Sequence, residues 1–189
     1  MNTWDLPTSI EVGGEIYKIR SDFRPILDIL TALDDPELNN VEEAIITIEI
    51  LYEDYEKIPS GLLQEACDKA MEFINFMGEE NAKPVKLMDW QQDANILIPA
   101  INKVAGKEIR SLQYMHWWTF MGLYMEIGDG LFAQVLSIRQ KKANRKKLDK
   151  WEEEFYKKNR SLVDLNYKKQ ERSKEEQNEL RELFGIEKR

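Results

Sequence analysis

The sequence predicts a mainly α-helical protein: a helical bundle with an N-terminal β-hairpin and a basic C-terminal helical tail. Three observations predict this fold class. Apolar residues recur three and four positions apart over most of the 189 residues, which is the spacing of an amphipathic helix. The chain has only nine glycines and six prolines, too few for the many turns of an all-β protein. Alternating apolar residues occur only near the N-terminus, around Gly13-Gly14, and predict the hairpin.

Charge divides the chain into two parts. Residues 1–138 contain 10 Lys and Arg against 24 Asp and Glu, whereas residues 139–189 contain 17 against 11. We therefore predict an acidic helical body with the hairpin over residues 1–143, and a basic, charged helical tail over residues 144–189. Such an asymmetry indicates a binding partner, but a solvated helical surface explains it equally well.

The hairpin is predicted from Ile10 and Val12 on one strand and from Ile16 or Tyr17 on the other. Gly13-Gly14 suits the two-residue turn because glycine adopts positive φ without strain. A lone hairpin is marginal in water, so we expect it to pack on the helices.

Six helices are expected in the body. Their boundaries follow from capping residues and helix-breaking residues. We expect helices capped by Ser21 and by Asn40, a helix from Ser60 to Met77 with Gly78 as C-cap, a helix from the cap Asp89 to Gly106 that is kinked or broken at Pro99, a helix over residues 112–128, and a helix capped by Asp129. In the tail, Leu148, Trp151, Phe155 and Leu162 recur at helical spacing, and Ser173 with Glu176 predicts a capping box that opens a short helix to Gly185.

The segment LQYMHWWTFMGLYMEIGDG, residues 112–130, is rich in aromatics and methionine. Its charge-free part, residues 111–125, is shorter than the roughly 20 apolar residues that a membrane span needs, so no membrane segment is predicted. We interpret it as a central buried helix rather than a ligand pocket. Part of it, Tyr114, Trp117 and Trp118, is a candidate for contact with a partner protein, because Trp and Tyr are frequent interface anchors.

Catalytic, metal-binding and cofactor-binding residues are not predicted. The chain has one histidine and one cysteine. A Cys67–His116 dyad is conceivable, but no third residue that would orient the base is evident. One His and one Cys do not make a zinc cluster, and no phosphate-binding glycine loop is present. We therefore expect a protein that is not an enzyme. The single cysteine suits a reducing cytoplasm, and no secretory signal is predicted from the first residues.

The basic tail places cations beside aromatic side chains. The candidate partner-binding residues here are Lys146, Lys147, Trp151, Phe155 and Tyr156. Nucleic acid attracts such segments, but the carboxylates of residues 152–154 interrupt the positive run. A charged helix with one apolar stripe also fits a groove on a protein. We favour a protein partner and consider nucleic acid the alternative.

Three segments together resemble a known family. They are LPTSIEVGGEIYKIRSDFR, SGLLQEACDKAMEFI and HWWTFMGLYMEIGDGLFAQVLSIRQKKANRKKLDKWEEEFYKKNRSLVDL. Over about residues 4–165 the chain resembles the bacteriophage gene-product-fifteen family of tailed phages and prophages of Gram-positive bacteria. The Trp-Trp helix that leads into the basic Lys-Lys-x-x-x-Lys-Lys-Leu-x-Lys-Trp stretch carries most of the resemblance.

The resemblance implies a non-enzymatic, tail assembly chaperone-like protein, because members are usually encoded just before the tape measure protein. The implied partner is the tape measure protein or the major tail (tube) protein, and a homo-oligomer is left open. The implied location is the cytoplasm of the bacterial host, with no place in the mature virion. Trp117, Trp118, Trp151 and Tyr156 correspond only as recurrent motif residues, which packing could explain. The alternative is a nucleic-acid-binding or regulatory phage or prophage protein that uses the basic tail.

Overall fold

A computed structural model describes residues 4–75 and 86–166. These residues form one antiparallel hairpin and eight α-helices, which confirms the predicted fold class. The strands are β1 (Ser9–Val12) and β2 (Glu15–Lys18), and the helices are α1 (Phe23–Leu33), α2 (Asn40–Leu51), α3 (Leu63–Ile74), α4 (Ala94–Ala105), α5 (Trp117–Met125), α6 (Leu131–Ala143), α7 (Lys150–Lys158) and α8 (Arg160–Val163). The helix predicted to start at Ser173 lies outside the described residues.

The hairpin has the predicted turn. Gly13 and Gly14 have φ of 58° and 84°, a region that side chains other than that of glycine rarely occupy. Ile10 pairs with Tyr17, and both are buried. Ile16 pairs with Glu11 on the outer face and is 74% exposed. Tyr17, not Ile16, is therefore the residue of β2 that faces the core.

The segment after the hairpin, residues 19–22, is an extended seam between two distant parts of the chain. On one side the amide of Arg20 donates to the carbonyl of Leu51. On the other side the amide of Trp117 donates to the carbonyl of Ser21, and Asp22 bridges to His116 in antiparallel fashion. The seam therefore joins the hairpin, the end of α2 and the start of α5.

Two predicted N-caps were wrong by one residue. Asp22, not Ser21, caps α1 by accepting from the amide of Arg24 at 3.1 Å. Asn39, not Asn40, caps α2, because its side chain accepts from the amides of Val41 and Glu42. The carboxylate of Glu42 accepts from the amide of Asn39 in turn, which completes a capping box. In both places two adjacent residues can cap, and the tertiary path of the chain selects between them.

Helices α3 and α4 are shorter than predicted. Residues 60–62 form a 3₁₀ turn before α3, and Met77 and Gly78 lie outside the described residues. Asp89 caps a separate turn by accepting from the amides of Gln91 and Gln92, so α4 starts only at Ala94. Helix α4 continues through the exposed Pro99, so a break there was wrong, whereas a kink stays a prediction. The helix ends at Gly106 with φ of 67°, as predicted.

The aromatic segment is only partly helical. Residues 112–116 are not helical, because the amide of Met115 donates to the carboxylate of Asp22 and the carbonyl of Met115 accepts from the amide of Phe23. Helix α5 then starts after His116, whose ring Nδ1 caps it. Helix α6 follows Gly130 and has no side-chain cap, so Asp129 does not have the predicted role.

The core is continuous from the hairpin to α8. Successive neighbours are the hairpin, α3, α2, α1, α5, α4, α6, α8 and α7. At its centre Phe120 stacks on Phe23 at 4.7 Å and on Trp117 at 5.6 Å between ring centroids. Helix α5 thus occupies the predicted central position. Among the described helices, none is both long and apolar enough to cross a membrane.

Within residues 148–166, α8 packs on α6 and α7 packs on α8. Asp164 and Asn166 also bond to the side chain of Gln92, in the turn before α4. Val163 is buried, whereas Leu148, Phe155 and Leu162 are partly buried against the core. Trp151 points outward and is 53% exposed, so the apolar stripe predicted for the tail does not include it. The domain division at residue 143 stays a prediction.

Candidate functional site

The eight candidate partner-binding residues fall into two groups on different elements. The first group, at the start of α5, is mostly committed to the fold. Trp117 is 1% exposed, and its indole Nε1 donates to the carbonyl of Ile74 at 2.9 Å. Trp118 is half-buried, and its Nε1 donates to the carbonyl of Phe73 at 3.0 Å. These indoles tie α5 to the end of α3, so packing accounts for both.

Tyr114 is the accessible member of this group. Its side chain is 52% exposed, while its hydroxyl lies 2.8 Å from the hydroxyl of the buried Ser21. The bond holds the phenol over the seam. Tyr114 therefore presents a fixed aromatic face to solvent, which suits contact with another protein.

The second group consists of Lys146, Lys147, Trp151, Phe155 and Tyr156. The first four of these, together with the neighbouring Lys150, form a basic aromatic surface, here called the tail surface. The rings of Trp151 and Phe155 stack at 5.5 Å with an interplanar angle of 25°. They lie four residues apart on α7, so one turn of helix aligns them. The three lysines are exposed. The tail surface thus combines a rigid aromatic pair with unburied positive charge.

Tyr156, the last candidate, is partly buried and packs against the core from the inner side of α7. Its hydroxyl donates to Asp164 at 3.0 Å, and the ammonium of Lys142 lies 3.8 Å from the ring centroid. Partial burial disfavours the charge on Lys142, but the bonds to Asp164 and Tyr156 outweigh it and raise its pKa. The same contacts outweigh burial at Asp164 and lower the pKa of that carboxyl.

A buried arginine, absent from the sequence-based candidates, fixes the tail to the body. All five N–H groups of Arg139 donate: to both oxygens of Asp93 and to the carbonyls of Leu87, Leu162 and Val163. The Asp93 pair joins α6 to the start of α4, the bonds to the carbonyls of Leu162 and Val163 attach the end of α8, and the bond to Leu87 attaches the segment before α4. Gln92 adds a bond from its side-chain amide to the carbonyl of Asp164 at 2.8 Å.

The sequence does contain a signal for this arrangement. Arg139 lies four residues after Val135 and seven after Phe132, so it is on the apolar stripe of α6. Asp93 lies four residues before Leu97, on the inner stripe of α4. A cation and an anion at core positions of two helices indicate a buried pair, because an unpaired buried charge is very costly.

The candidate dyad residues have other roles in the structure. His116 is buried; its Nε2 lies 2.9 Å from the carbonyl of Pro7, and its Nδ1 accepts from the amide of Trp118. Burial lowers the pKa of His116 despite the Pro7 bond. Burial, with a smaller contribution from Asp68, raises the pKa of the Cys67 thiol. A neutral thiol and a fully bonded imidazole suit packing and capping.

Within residues 4–75 and 86–166, no three His, Cys, Asp or Glu side chains are grouped so that they could hold a metal ion. The predictions that the protein has no cofactor and is not an enzyme are not tested by this geometry. What the described surface offers is contact area: exposed aromatic rings with flanking charge.

Comparison with known proteins adds the family. A family model described as Bacteriophage Gp15 protein matches residues 3–165. Searches of curated proteins and of solved structures found no match. The matched range includes all eight candidate residues together with Asp93 and Arg139.

Proposed function

The chain belongs to the Bacteriophage Gp15 protein family, and from this premise we propose that it is a non-enzymatic, tail assembly chaperone-like protein. In this proposal it binds the tape measure protein, the major tail (tube) protein or both during tail morphogenesis. It acts in the cytoplasm of the bacterial host and is not retained in the mature virion. Family membership identifies the chain as a phage-type protein. The chaperone role is our inference.

The tail surface supports a role in binding protein. Trp151 is exposed and is held against Phe155, so little side-chain entropy is lost when a partner covers the pair. Trp is a frequent anchor at the centre of protein interfaces, and charged residues such as these lysines belong to the polar rim. The acidic body, which dominates the net charge of −8, helps to keep a complex with an apolar client soluble.

The charges of the tail favour a protein partner over nucleic acid. Lys141 pairs with Glu152, and Lys142 pairs with Asp164. These two cations are neutralised within the fold, so fewer remain to contact phosphates, and nucleic-acid affinity depends on the number of phosphates neutralised. Nucleic-acid binding therefore stays the weaker alternative.

Co-expression with fragments of the tape measure protein tests the proposal. We expect the wild-type chain to increase the soluble fraction of the fragment and to be retained with it on an affinity column. Trp151→Ser should weaken retention, because it removes the exposed ring from the tail surface. Val104→Ser is the matched control, since Val104 is a partly exposed apolar residue on α4.

The proposal fails if neither the tape measure protein nor the tail tube protein is retained by the wild-type chain. A separate measurement addresses location. Mass spectrometry of purified virions should find no peptides of this chain, while the infected-cell lysate should contain them.

A further inference from the structure

We propose that residues 160–166 occupy a peptide-binding site on the body of their own chain, and that this contact is autoinhibitory. The site, here called the docking site, consists of Gln92, Arg139 and the part of the core surface that covers Val163. It opens when residues 144–166, here called the arm, detach from the body. A helix end of a partner protein then takes their place. That the partner is a tail protein rests on the proposed function.

Arg139 binds the main chain at the end of α8. Its Nε donates to the carbonyl of Val163 at 2.7 Å, and its Nη2 donates to the carbonyl of Leu162 at 2.9 Å. Carbonyls in the last turn of a helix have no partner within the helix, and a cation is favourable beside them. Arg139 therefore recognises the C-terminal end of a helix.

Gln92 binds the main chain that follows. Its side-chain amide donates to the carbonyl of Asp164 at 2.8 Å and accepts from the amide of Asn166 at 2.9 Å. Val163, which is 1% exposed, is the one apolar residue of the arm that is buried. In peptide recognition, main-chain bonds provide affinity and a pocket for a side chain provides specificity. The ligand of the docking site is therefore the last turn of a helix that ends in an aliphatic residue.

The rest of the arm has little buried apolar surface. Helix α8 packs on α6, and α7 packs on α8. Leu148, Phe155 and Tyr156 are only partly buried. Glu152, the other buried residue of the arm, pairs with Lys141. Regions with few buried apolar contacts open locally more often than the whole fold unfolds.

Release of the arm leaves no unpaired charge in the body. Three of the five bonds that Arg139 donates stay within the body, to both oxygens of Asp93 and to the carbonyl of Leu87. Separating a buried ion pair is very costly, but here the pair remains intact, and water replaces the two bonds to the arm. The docking site is thus already formed when a ligand arrives.

The turn between α6 and α7 contains a strained residue. Arg145 has φ of 54°, and within residues 4–75 and 86–166 it is the only residue other than glycine with positive φ. The amides of Arg145 and Lys146 donate to the carbonyls of Lys142 and Lys141, a helix ending in which glycine is usual. Backbone strain of this kind is frequent in segments that switch conformation. We therefore place the hinge of the arm at Arg145.

Hydrogen exchange of the full chain tests whether the arm opens. Amides of α7 should exchange at least about 100-fold faster than those of α5 and depend little on low urea concentrations, because local opening exposes little surface. Gln92→Ala removes two bonds to the arm and should speed exchange in α7 about tenfold. Gln91→Ala is the matched control, because the exposed side chain of Gln91 has no hydrogen bond to the arm.

A labelled synthetic peptide of residues 147–166 tests the docking site in trans. Val163→Asp in the full chain should release the arm, because it places a charge in an apolar site, while circular dichroism shows that the body stays folded. The peptide should bind this variant at least about tenfold more tightly than the wild type, because occupation of the site by the arm reduces the apparent affinity. Adding Gln92→Ala should weaken this binding. A peptide that itself carries Val163→Asp is the control and should not bind.

The proposal is overturned if α7 and α5 exchange at the same rate, if Val163→Asp unfolds the whole chain, or if the peptide binds this variant no better than the wild type. Wild-type dimers that exchange arms, detected by sedimentation, would assign the site to a second copy instead of a partner protein. Equal retention of tape measure fragments by the wild type and by Val163→Asp would contradict autoinhibition.

The peptide experiment contains no tail protein. Its failure therefore leaves the proposed function in place. Conversely, if the peptide binds as expected and no tail protein is retained by either chain, only the proposed function fails.

Discussion

Arg139 and Asp93 form a buried bidentate ion pair, with guanidinium nitrogens 2.6 and 2.8 Å from the two carboxylate oxygens. The two side chains are 5% and 0% exposed. Three main-chain carbonyls accept the remaining guanidinium bonds. The pair thus fixes α4, α6 and α8 relative to one another.

Arg139→Met should destabilise the fold by about 3–5 kcal/mol, because it leaves the Asp93 carboxylate buried without its partner. Urea unfolding at neutral pH, followed by circular dichroism, measures the loss as a lower midpoint. Arg110→Met is the control: Arg110 pairs with Glu108 on the surface, and an exposed pair contributes at most about 1 kcal/mol. Equal midpoints for the two variants would contradict a stabilising role for the buried pair.

Trp117→Ala should cost about 3–5 kcal/mol, because it empties a fully packed site next to Phe120 and removes the bond to the carbonyl of Ile74. Trp151→Ala should change stability by no more than about 0.5 kcal/mol, because its ring lies at the surface. Thermal melts of the two variants provide the comparison. A large loss for Trp151→Ala would show that the tail surface is needed for folding and would weaken its assignment to binding.

Gly13→Ala should be more destabilising than Gly14→Ala. Both residues have positive φ, so alanine is strained by about 1–2 kcal/mol at either position. At Gly13 the new Cβ would also lie 2.3 Å from Cδ1 of Leu62, whereas nothing lies within 4 Å at Gly14. Chemical denaturation of both variants gives the difference, which should vanish in a Leu62→Ala background.

Stability should fall as pH drops through the window just below the unfolded pKa of His116, about 6.5. Burial lowers the pKa of His116 in the folded state, so the unfolded chain binds the proton more readily and stability rises with pH. Protonation would also place a proton on Nδ1, where the amide of Trp118 donates. Urea midpoints at about pH 7.5 and 5.5 measure the loss.

His116→Asn is the matched variant for that experiment. Asparagine can still accept from the amide of Trp118 as an N-cap, but it does not titrate. We expect this variant to be less stable overall and to lose less stability between the two pH values than the wild type. An identical pH dependence would assign the effect to carboxylates instead.

Local pattern was sufficient to predict the hairpin and the helical regions, because apolar periodicity and turn residues act over a few positions. It was insufficient where distant pairing decides. Residues 112–116 have helical composition, yet Met115 pairs with Asp22, 93 residues earlier in the chain. Likewise, Ser21 and Asp22 can each cap a helix, and the seam determines which of them does.

The candidate surface shows the same division. Trp151 and Trp117 are the same residue type, but Trp151 is exposed on the outer face of α7, whereas Trp117 is buried in the core. Their different exposure depends on which face of each helix meets a neighbour. Arg139 was overlooked because the basic run after it has the composition of a solvated tail, although its position on the stripe of α6 indicates burial.

The seam at residues 19–22 has a consequence for synthesis on the ribosome. Its second partner, the amide of Trp117 and the residues before it, is nearly a hundred positions downstream. The hairpin and the first three helices are therefore synthesised, and stay exposed to solvent, long before the start of α5 is available to pack against them. Long-range closure of this kind slows folding and prolongs exposure of apolar surface. The acidic character of that early segment gives mutual repulsion between neighbouring nascent chains during the delay.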